Sequence, residues 1–102
     1  MSEPGKILVV DDDIQLTRVL RTGLKSRGYE VRTAADGLAA LDIFRDSPPD
    51  LVITDLAMPK MDGLELCRRL RTDSQVPIIV LSAKGEEKIK IEALMNGQSK
   101  AR

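Results

Sequence analysis

The sequence predicts an α/β domain in which helices cover both faces of a parallel β-sheet. Four short strand-like segments, mostly apolar, alternate along the chain with stretches whose apolar residues follow a helical period. Unbroken β-branched runs are typical of strands buried on both faces, as in parallel sheets. Regular alternation of strand and helix, with short connections and right-handed crossovers, gives such a sheet its helical cover. The predicted strands are Lys6–Val10, Tyr29–Ala34, Leu51–Thr54 and Ile78–Leu81.

A helix is predicted after each of the four strands. Asp13 is placed to cap the first helix and Gly28 to end it, and Asp36 is placed to cap the second. The third helix is predicted to end at about Arg71, and the last to run from about Glu86 to Asn96. The apolar stripes that indicate these helices are Leu16, Val19, Leu20 and Leu24, then Ala40, Leu41 and Phe44, then Leu66, Cys67 and Leu70, and finally Ile91, Leu94 and Met95.

Length and composition predict one domain that spans residues 1–102. A hydrophobic content of 42% supports one ordinary core, which must be aliphatic because Tyr29 and Phe44 are the only aromatic residues. Sixteen basic residues balance sixteen acidic ones, so no overall charge attracts nucleic acid or an anionic membrane. No segment approaches the length of a membrane span, and the N-terminus lacks a signal-peptide pattern. The single cysteine, Cys67, is predicted to be buried, and these features together favour a cytoplasmic location.

The absence of histidine narrows the chemistry that this chain can perform. With no histidine in the sequence, it cannot build a Ser-His dyad, a histidine metal site or a phosphohistidine relay of its own. Any chemistry must therefore rest on carboxylates, hydroxyls, lysines and a metal.

Oxygen-bearing side chains stand where three of the predicted strands end. Asp11 and Asp12 follow the first strand, Asp55 the third and Ser82 the fourth. Ligands of such sheets gather at the carboxyl ends of the strands, so three carboxylates converge if the first and third strands are neighbours. Two like charges about 4 Å apart repel by about 4 kcal/mol at an effective dielectric near 20. A divalent cation relieves this repulsion, and an all-oxygen ligand set favours Mg²⁺.

One carboxylate of such a cluster can attack phosphorus and become an aspartyl phosphate. Asp55 is the best candidate because it stands alone at the end of its buried strand, before a turn that carries Pro59, Asp62 and Gly63. The Ser82 hydroxyl could donate a hydrogen bond to a phosphoryl oxygen.

Together these stretches resemble the receiver domain of bacterial two-component response regulators. The resemblance covers Lys6 to about Gly97 and implies a flavodoxin-like, doubly wound sheet with strand order 2-1-3-4-5. The motifs that carry it are Ile7-Leu8-Val9-Val10-Asp11-Asp12-Asp13, Asp50-Leu51-Val52-Ile53-Thr54-Asp55-Leu56-Ala57-Met58-Pro59, Asp62-Gly63-Leu64 and Pro77-Ile78-Ile79-Val80-Leu81-Ser82-Ala83.

The resemblance also implies a role for each residue of the site. Asp55 is expected to accept a phosphoryl group from a sensor histidine kinase, so the domain is a phosphoacceptor with self-catalysed transfer rather than a conventional enzyme. Asp12, Asp55 and the backbone carbonyl of Ala57 are expected to bind Mg²⁺ directly, and Asp11 through water. Ser82 matches the switch hydroxyl that contacts the phosphoryl group.

The chain departs from the family after Gly97, where it reads Gln98-Ser99-Lys100-Ala101-Arg102. The family continues into a fifth strand with an aromatic switch residue, a Lys-Pro pair and a fifth helix. We therefore expect the order 2-1-3-4, truncated before the fifth βα unit, with impaired switching. The fourth strand is expected to become an edge and the first helix to lose a neighbour. From this we expect a homo-oligomer through the side formed by strand four and helix one.

Two other functions remain open at this point. The chain could be a pseudo-receiver or assembly fragment that acts through protein contacts alone. It could also be a haloacid-dehalogenase-type phosphatase, because Asp11-Asp12-Asp13 contains the Asp-Xaa-Asp pattern of that family. Gln15 stands where that family has Thr or Val, and Asp55 would have no role in such an enzyme.

Overall fold

The computed structural model describes residues 5–58, 60–81 and 89–90. Its elements in chain order are β1 (Lys6–Val10), α1 (Ile14–Ser26), β2 (Glu30–Ala34), α2 (Gly37–Asp46), β3 (Leu51–Asp55), α3 (Gly63–Asp73), β4 (Ile78–Leu81) and β5 (Ile89–Lys90). They form one sheet in the order β2-β1-β3-β4-β5. The first four strands are all parallel, which confirms the predicted α/β class and the order 2-1-3-4.

The two central strands, β1 and β3, lie side by side and are the most deeply buried. Ile7 through Val10 are each 4% exposed or less, as expected of a strand covered on both faces. The register pairs Val10 with Thr54 and continues across β3 and β4, where Asp55 pairs with Leu81. β2 lies at one edge of the sheet and exposes most of its side chains, in agreement with its weaker apolar pattern.

The prediction of a helix from about Glu86 to Asn96 is wrong at Ile89 and Lys90. These two residues form β5, which runs antiparallel to β4 and pairs Leu81 with Ile89 and Val80 with Lys90. The expected open edge of β4 is therefore covered along its second half. An uncovered strand presents a row of backbone donors and acceptors, and pairing with a nearby segment satisfies them. The rest of the predicted last helix lies outside the described residues.

Three aspartates begin the described helices. The Asp13 carboxylate accepts from the N–H groups of Gln15 and Leu16, and Asp36 accepts from Ala39 at 2.9 Å, which confirms both predicted caps. Asp62 does the same for α3 by accepting from Glu65 at 2.8 Å. Gly28, with φ +97°, follows the end of α1 as predicted. α3 runs two residues beyond the predicted end at Arg71, since the structure ends it at Asp73.

The main core lies between the sheet and the helices α2 and α3. It is aliphatic, as the composition predicts, and Cys67 is buried within it. Its largest fully buried side chains include Leu8, Leu66 and Ile78. Among the helices that the structure describes, none combines the length and the apolar character that a membrane span requires.

The helix α1 is the least buried of the three described helices. It contains no fully buried residue, and its predicted apolar stripe is only partly covered. Leu16, Leu20 and Leu24 are half-buried, whereas Val19 is 67% exposed. α1 therefore contributes less apolar burial than α2 or α3, which each contain buried residues.

Candidate metal centre

The carboxyl ends of β1 and β3 bring the predicted acidic residues together. Because Val10 pairs with Thr54 in a parallel register, the next residue of each strand, Asp11 and Asp55, follows at the same edge of the sheet. Carboxylate oxygens of Asp11, Asp12 and Asp55 all lie within 4.8 Å of one another. Asp11 and Asp55 are buried, and Asp12 is exposed.

This cluster fits a small divalent cation. Two oxygens bound to one Mg²⁺ lie at most about 4.2 Å apart, because each bond is about 2.1 Å long. The carboxylate oxygens lie up to 4.8 Å apart, which is close to the distance between two carboxylates that bind one ion directly. The third carboxylate would bind the ion directly or through water. Hard carboxylate oxygens, without histidine or cysteine, are the ligands that Mg²⁺ prefers.

Burial and, to a lesser extent, the neighbouring negative charges disfavour the ionised form of Asp11. Burial raises the pKa of Asp11 from 3.8 to about 6. The N–H of Asp13 donates to Asp11 Oδ1 at 2.8 Å and opposes this rise, whereas the negative charge of Asp55 adds to it. The charges of Asp12 and Asp13 raise the pKa of Asp11 further. At neutral pH, an ionised Asp11 therefore destabilises the fold unless a cation neutralises it.

Replacing Asp11 should stabilise the metal-free protein in a pH-dependent way. Between about pH 4 and pH 6, the folded protein keeps a proton at Asp11 that the unfolded chain has released, so stability falls as the pH rises. In EDTA, Asp11→Asn should match the wild type near pH 4. Above about pH 6 it should exceed the wild type by about 1–2 kcal/mol, after allowance for solvent screening. Urea unfolding at several pH values measures this difference, and a variant less stable than the wild type at pH 8 contradicts it.

Backbone hydrogen bonds fix Asp55 at the end of β3. The N–H of Leu56 donates to the carbonyl of Leu81 at 3.0 Å, which continues the β3–β4 ladder past Asp55. The N–H of Gly63 donates to the Leu56 carbonyl at 2.8 Å. A Cβ at Gly63 would overlap the carbonyl oxygen of Asp55, so only glycine allows α3 to begin this close to β3. The Thr54 hydroxyl donates to the same Asp55 carbonyl at 3.0 Å.

Of the other two predicted site residues, the structure describes only Ala57. Ala57 lies two residues after Asp55, in the exposed part of the connection to α3. Ser82 lies outside the described residues, although β4 ends at Leu81, which pairs with Asp55.

The structure also shows a contact near the site that the sequence does not predict. Lys60 Nζ lies 3.6 Å from Asp36 Oδ2, at the start of α2. The side chain of the next residue, Met61, is buried against Gly37. The sequence offers only Asp36-Gly37, a helix-capping aspartate followed by glycine, as a signal for this contact. It does not indicate that Lys60 and Met61 are the residues that contact Asp36 and Gly37.

A family model described as the response regulator receiver domain matches residues 7–101. This chain belongs to that family. The parallel sheet with its acidic edge agrees with this membership.

Relatives and solved structures support the receiver assignment. The chain is 51% identical over 92 residues to a Cyanophora paradoxa protein named "Probable transcriptional regulator ycf27", covering 90% of this chain and 38% of that protein. It is 44% identical to "Response regulator MprA" of Mycobacterium sp. (strain KMS), covering 92% and 41%. The chain therefore spans about two fifths of the length of these relatives.

One solved relative was crystallised with Mg²⁺ and BeF. The response regulator TrrA from Thermotoga maritima, solved in complex with Mg²⁺-BeF, is 39% identical to this chain. The two structures superpose with a TM-score of 0.74, covering 79% of this chain and 71% of TrrA.

Proposed function

We propose that this receiver domain accepts a phosphoryl group from a sensor histidine kinase on Asp55, with Mg²⁺ as its cofactor. The observation that carries the proposal is the convergence of Asp11, Asp12 and Asp55, with ligand oxygens within 4.8 Å of one another. A nucleophilic carboxylate beside two further carboxylates is the arrangement that metal-assisted phosphoryl transfer needs.

Each residue then has a defined role. An Asp55 carboxylate oxygen forms a bond to phosphorus, while the bond between phosphorus and the donor nitrogen of the kinase histidine breaks. Asp12, Asp55 and the carbonyl of Ala57 would hold Mg²⁺ directly, and Asp11 would hold it through water. Bound there, Mg²⁺ supplies positive charge that offsets the charge of the phosphoryl oxygens and of the carboxylates. We assign the Ser82 hydroxyl to binding the phosphoryl group.

Incubation with a small phosphodonor tests the proposal directly. The wild-type chain, treated with acetyl phosphate and Mg²⁺, should gain the mass of one phosphoryl group in intact mass spectrometry. The gain should disappear in EDTA, because the clustered negative charges repel the anionic donor without a cation. A chain that binds no Mg²⁺ and gains no mass contradicts the proposal and favours a pseudo-receiver that acts by contacts alone.

The remaining partners follow from the same proposal. Family membership disfavours the haloacid-dehalogenase-type phosphatase, which also leaves Asp55 without a role. We propose that the receiver acts in the cytoplasm and controls a transcriptional output, since a relative is named as a transcriptional regulator. The balanced charge of this chain argues against direct nucleic-acid or membrane binding by the receiver itself.

We also propose that the receiver forms a homo-oligomer through the side formed by α1 and β4. The support is the partly covered stripe of α1, in which Val19 is 67% exposed. Light scattering after size-exclusion chromatography should show a dimer for the wild type and a monomer for Val19→Glu, because a charge cannot be buried there without a partner. Leu64→Glu, at a residue of α3 that is 46% exposed, is the control and should remain dimeric. A wild type that is monomeric at all concentrations contradicts this proposal.

A further inference from the structure

The N-terminal end of α2 packs against the connection between β3 and α3. This connection, the β3–α3 loop, comprises residues 56–62 and carries Ala57, with Pro59 outside the described part. Met61 is only 5% exposed and belongs to the core cluster. A Cβ built on Gly37 would lie 2.8 Å from Met61 Sδ and 2.9 Å from Met61 Cβ. Gly37 therefore leaves the space that the Met61 side chain occupies.

An ion pair joins the same two segments beside Met61. Asp36 Oδ1 accepts from the N–H of Ala39, and Asp36 Oδ2 lies 3.6 Å from Lys60 Nζ. The Ala39 N–H first, and the Lys60 ammonium to a lesser extent, lower the pKa of Asp36 below its ordinary value. The same carboxylate thus caps α2 with one oxygen and contacts the loop with the other.

The backbone of Lys60 has a conformation that few side chains adopt. Its φ is 72°, the only positive φ of a non-glycine residue in the described part of the chain. Residues held in this region persist where the surrounding structure fixes them. Here the fixing contacts are the ion pair of Lys60 with Asp36 and the burial of Met61 against Gly37.

The opposite end of the loop is held by the sheet and by α3. Leu56 donates to the Leu81 carbonyl and accepts from the Gly63 N–H. Ala57 stands between these bonds and the contacts of Lys60 and Met61. Described contacts therefore hold the loop on both sides of Ala57, at Leu56 by β4 and α3 and at Lys60 and Met61 by α2.

We infer that Asp36, Gly37, Lys60 and Met61 are positioning residues for the candidate metal centre, because they fix the loop that presents the Ala57 carbonyl. The inference rests on the proposed function, in which that carbonyl binds Mg²⁺. None of the four belongs to the acidic cluster, so they act on the metal only through the loop backbone. Their loss should weaken Mg²⁺ binding while leaving the three carboxylates in place.

Gly37→Ala tests the packing half of this contact, with Gly23→Ala as its matched control. A Cβ at Gly37 forces Met61 to move, whereas a Cβ at Gly23 meets no heavy atom within 4 Å. Isothermal titration calorimetry should show Mg²⁺ affinity lowered about tenfold in Gly37→Ala, as for other residues that support metal ligands, and unchanged in Gly23→Ala. Phosphorylation by acetyl phosphate should require more Mg²⁺ but reach the wild-type rate when Mg²⁺ is saturating.

Lys60→Asn tests the ion pair with Asp36, because a charge effect and a positioning role change the Mg²⁺ affinity in opposite directions. Asparagine tolerates a positive φ, so the backbone conformation is retained while the charge is removed. Loss of a positive charge near an acidic site would by itself tighten Mg²⁺ binding. A positioning role predicts the opposite, an affinity about twofold to threefold weaker, in the range expected for loss of an exposed ion pair. This variant also provides the test if Gly37→Ala does not fold.

The possible outcomes separate this inference from the proposed function. Weaker Mg²⁺ binding in both variants, with a normal maximal rate of phosphorylation, supports the positioning role. Wild-type affinity in a folded Gly37→Ala, or an equal or tighter affinity in Lys60→Asn, overturns it while the proposed function stands. A wild-type chain that binds no Mg²⁺ overturns both.

Discussion

Asp55→Asn should abolish phosphorylation of this receiver while leaving it folded. The amide of asparagine is a poor nucleophile towards phosphorus, so no acyl phosphate can form at this position. Intact mass spectrometry after treatment with acetyl phosphate and Mg²⁺ should show no gain in mass at times when the wild type is fully modified. The metal-free variant should be at least as stable as the wild type, since one of three mutually repelling charges is removed.

Asp13→Asn is the matched control for this variant. It makes the same chemical change next to the acidic cluster, and asparagine caps a helix about as well as aspartate. Because Asp13 contacts Asp11 through its backbone N–H, that hydrogen bond is retained. Phosphorylation of Asp13→Asn should therefore proceed. A phosphoryl group found on Asp55→Asn would show that another residue is the acceptor.

Gly63→Ala should destabilise the domain, and by more than Gly37→Ala or Gly23→Ala. The added Cβ would overlap the Asp55 carbonyl oxygen and lie 3.1 Å from Leu56 Cα. Backbone atoms cannot rotate away as a side chain can, so β3 and α3 must separate. We expect a loss of about 3 kcal/mol or more, a large part of a typical total of about 5–15 kcal/mol.

Gly23→Ala again provides the comparison. Gly23 lies in α1 with open space around it, so alanine there should stabilise the protein by about 0.5–1 kcal/mol through its higher helix propensity. Urea denaturation followed by circular dichroism measures both variants in one experiment. If Gly63→Ala unfolds at the same urea concentration as the wild type, the close approach of α3 to β3 does not constrain the fold.

The parts of the structure that the sequence predicted correctly depend on local pattern. The continuous apolar runs of β1 and β3 indicate buried parallel strands. Asp13 and Asp36 indicate the start of the helices that they cap. The acidic cluster followed from the sequence only on the condition that the first and third strands are neighbours, which the structure meets, because carboxylates at the ends of neighbouring parallel strands lie at one edge of the sheet.

The parts that the sequence did not predict depend on contacts between distant segments. Ile89 and Lys90 fit a helical pattern, but they pair with β4 because that strand offers backbone partners. Whether a local helix or a strand contact is more stable depends on such tertiary partners rather than on propensity. The ion pair of Lys60 with Asp36 was equally unpredictable, because nothing in either local sequence identifies the other.

The low burial of α1 implies that the three carboxylates of the acidic cluster lie in segments of different local stability. Segments with few buried contacts open far more often than the whole domain unfolds, and α1 has no fully buried residue. Asp11 belongs to the slowly opening centre, since its N–H is bonded to the Ala34 carbonyl at 3.0 Å, and Asp55 ends the central strand β3. Asp12 is exposed and stands just before α1. We therefore expect Asp11 and Asp55 to lie in segments that open rarely, and Asp12 to share the more frequent opening of α1, the least buried of the described helices.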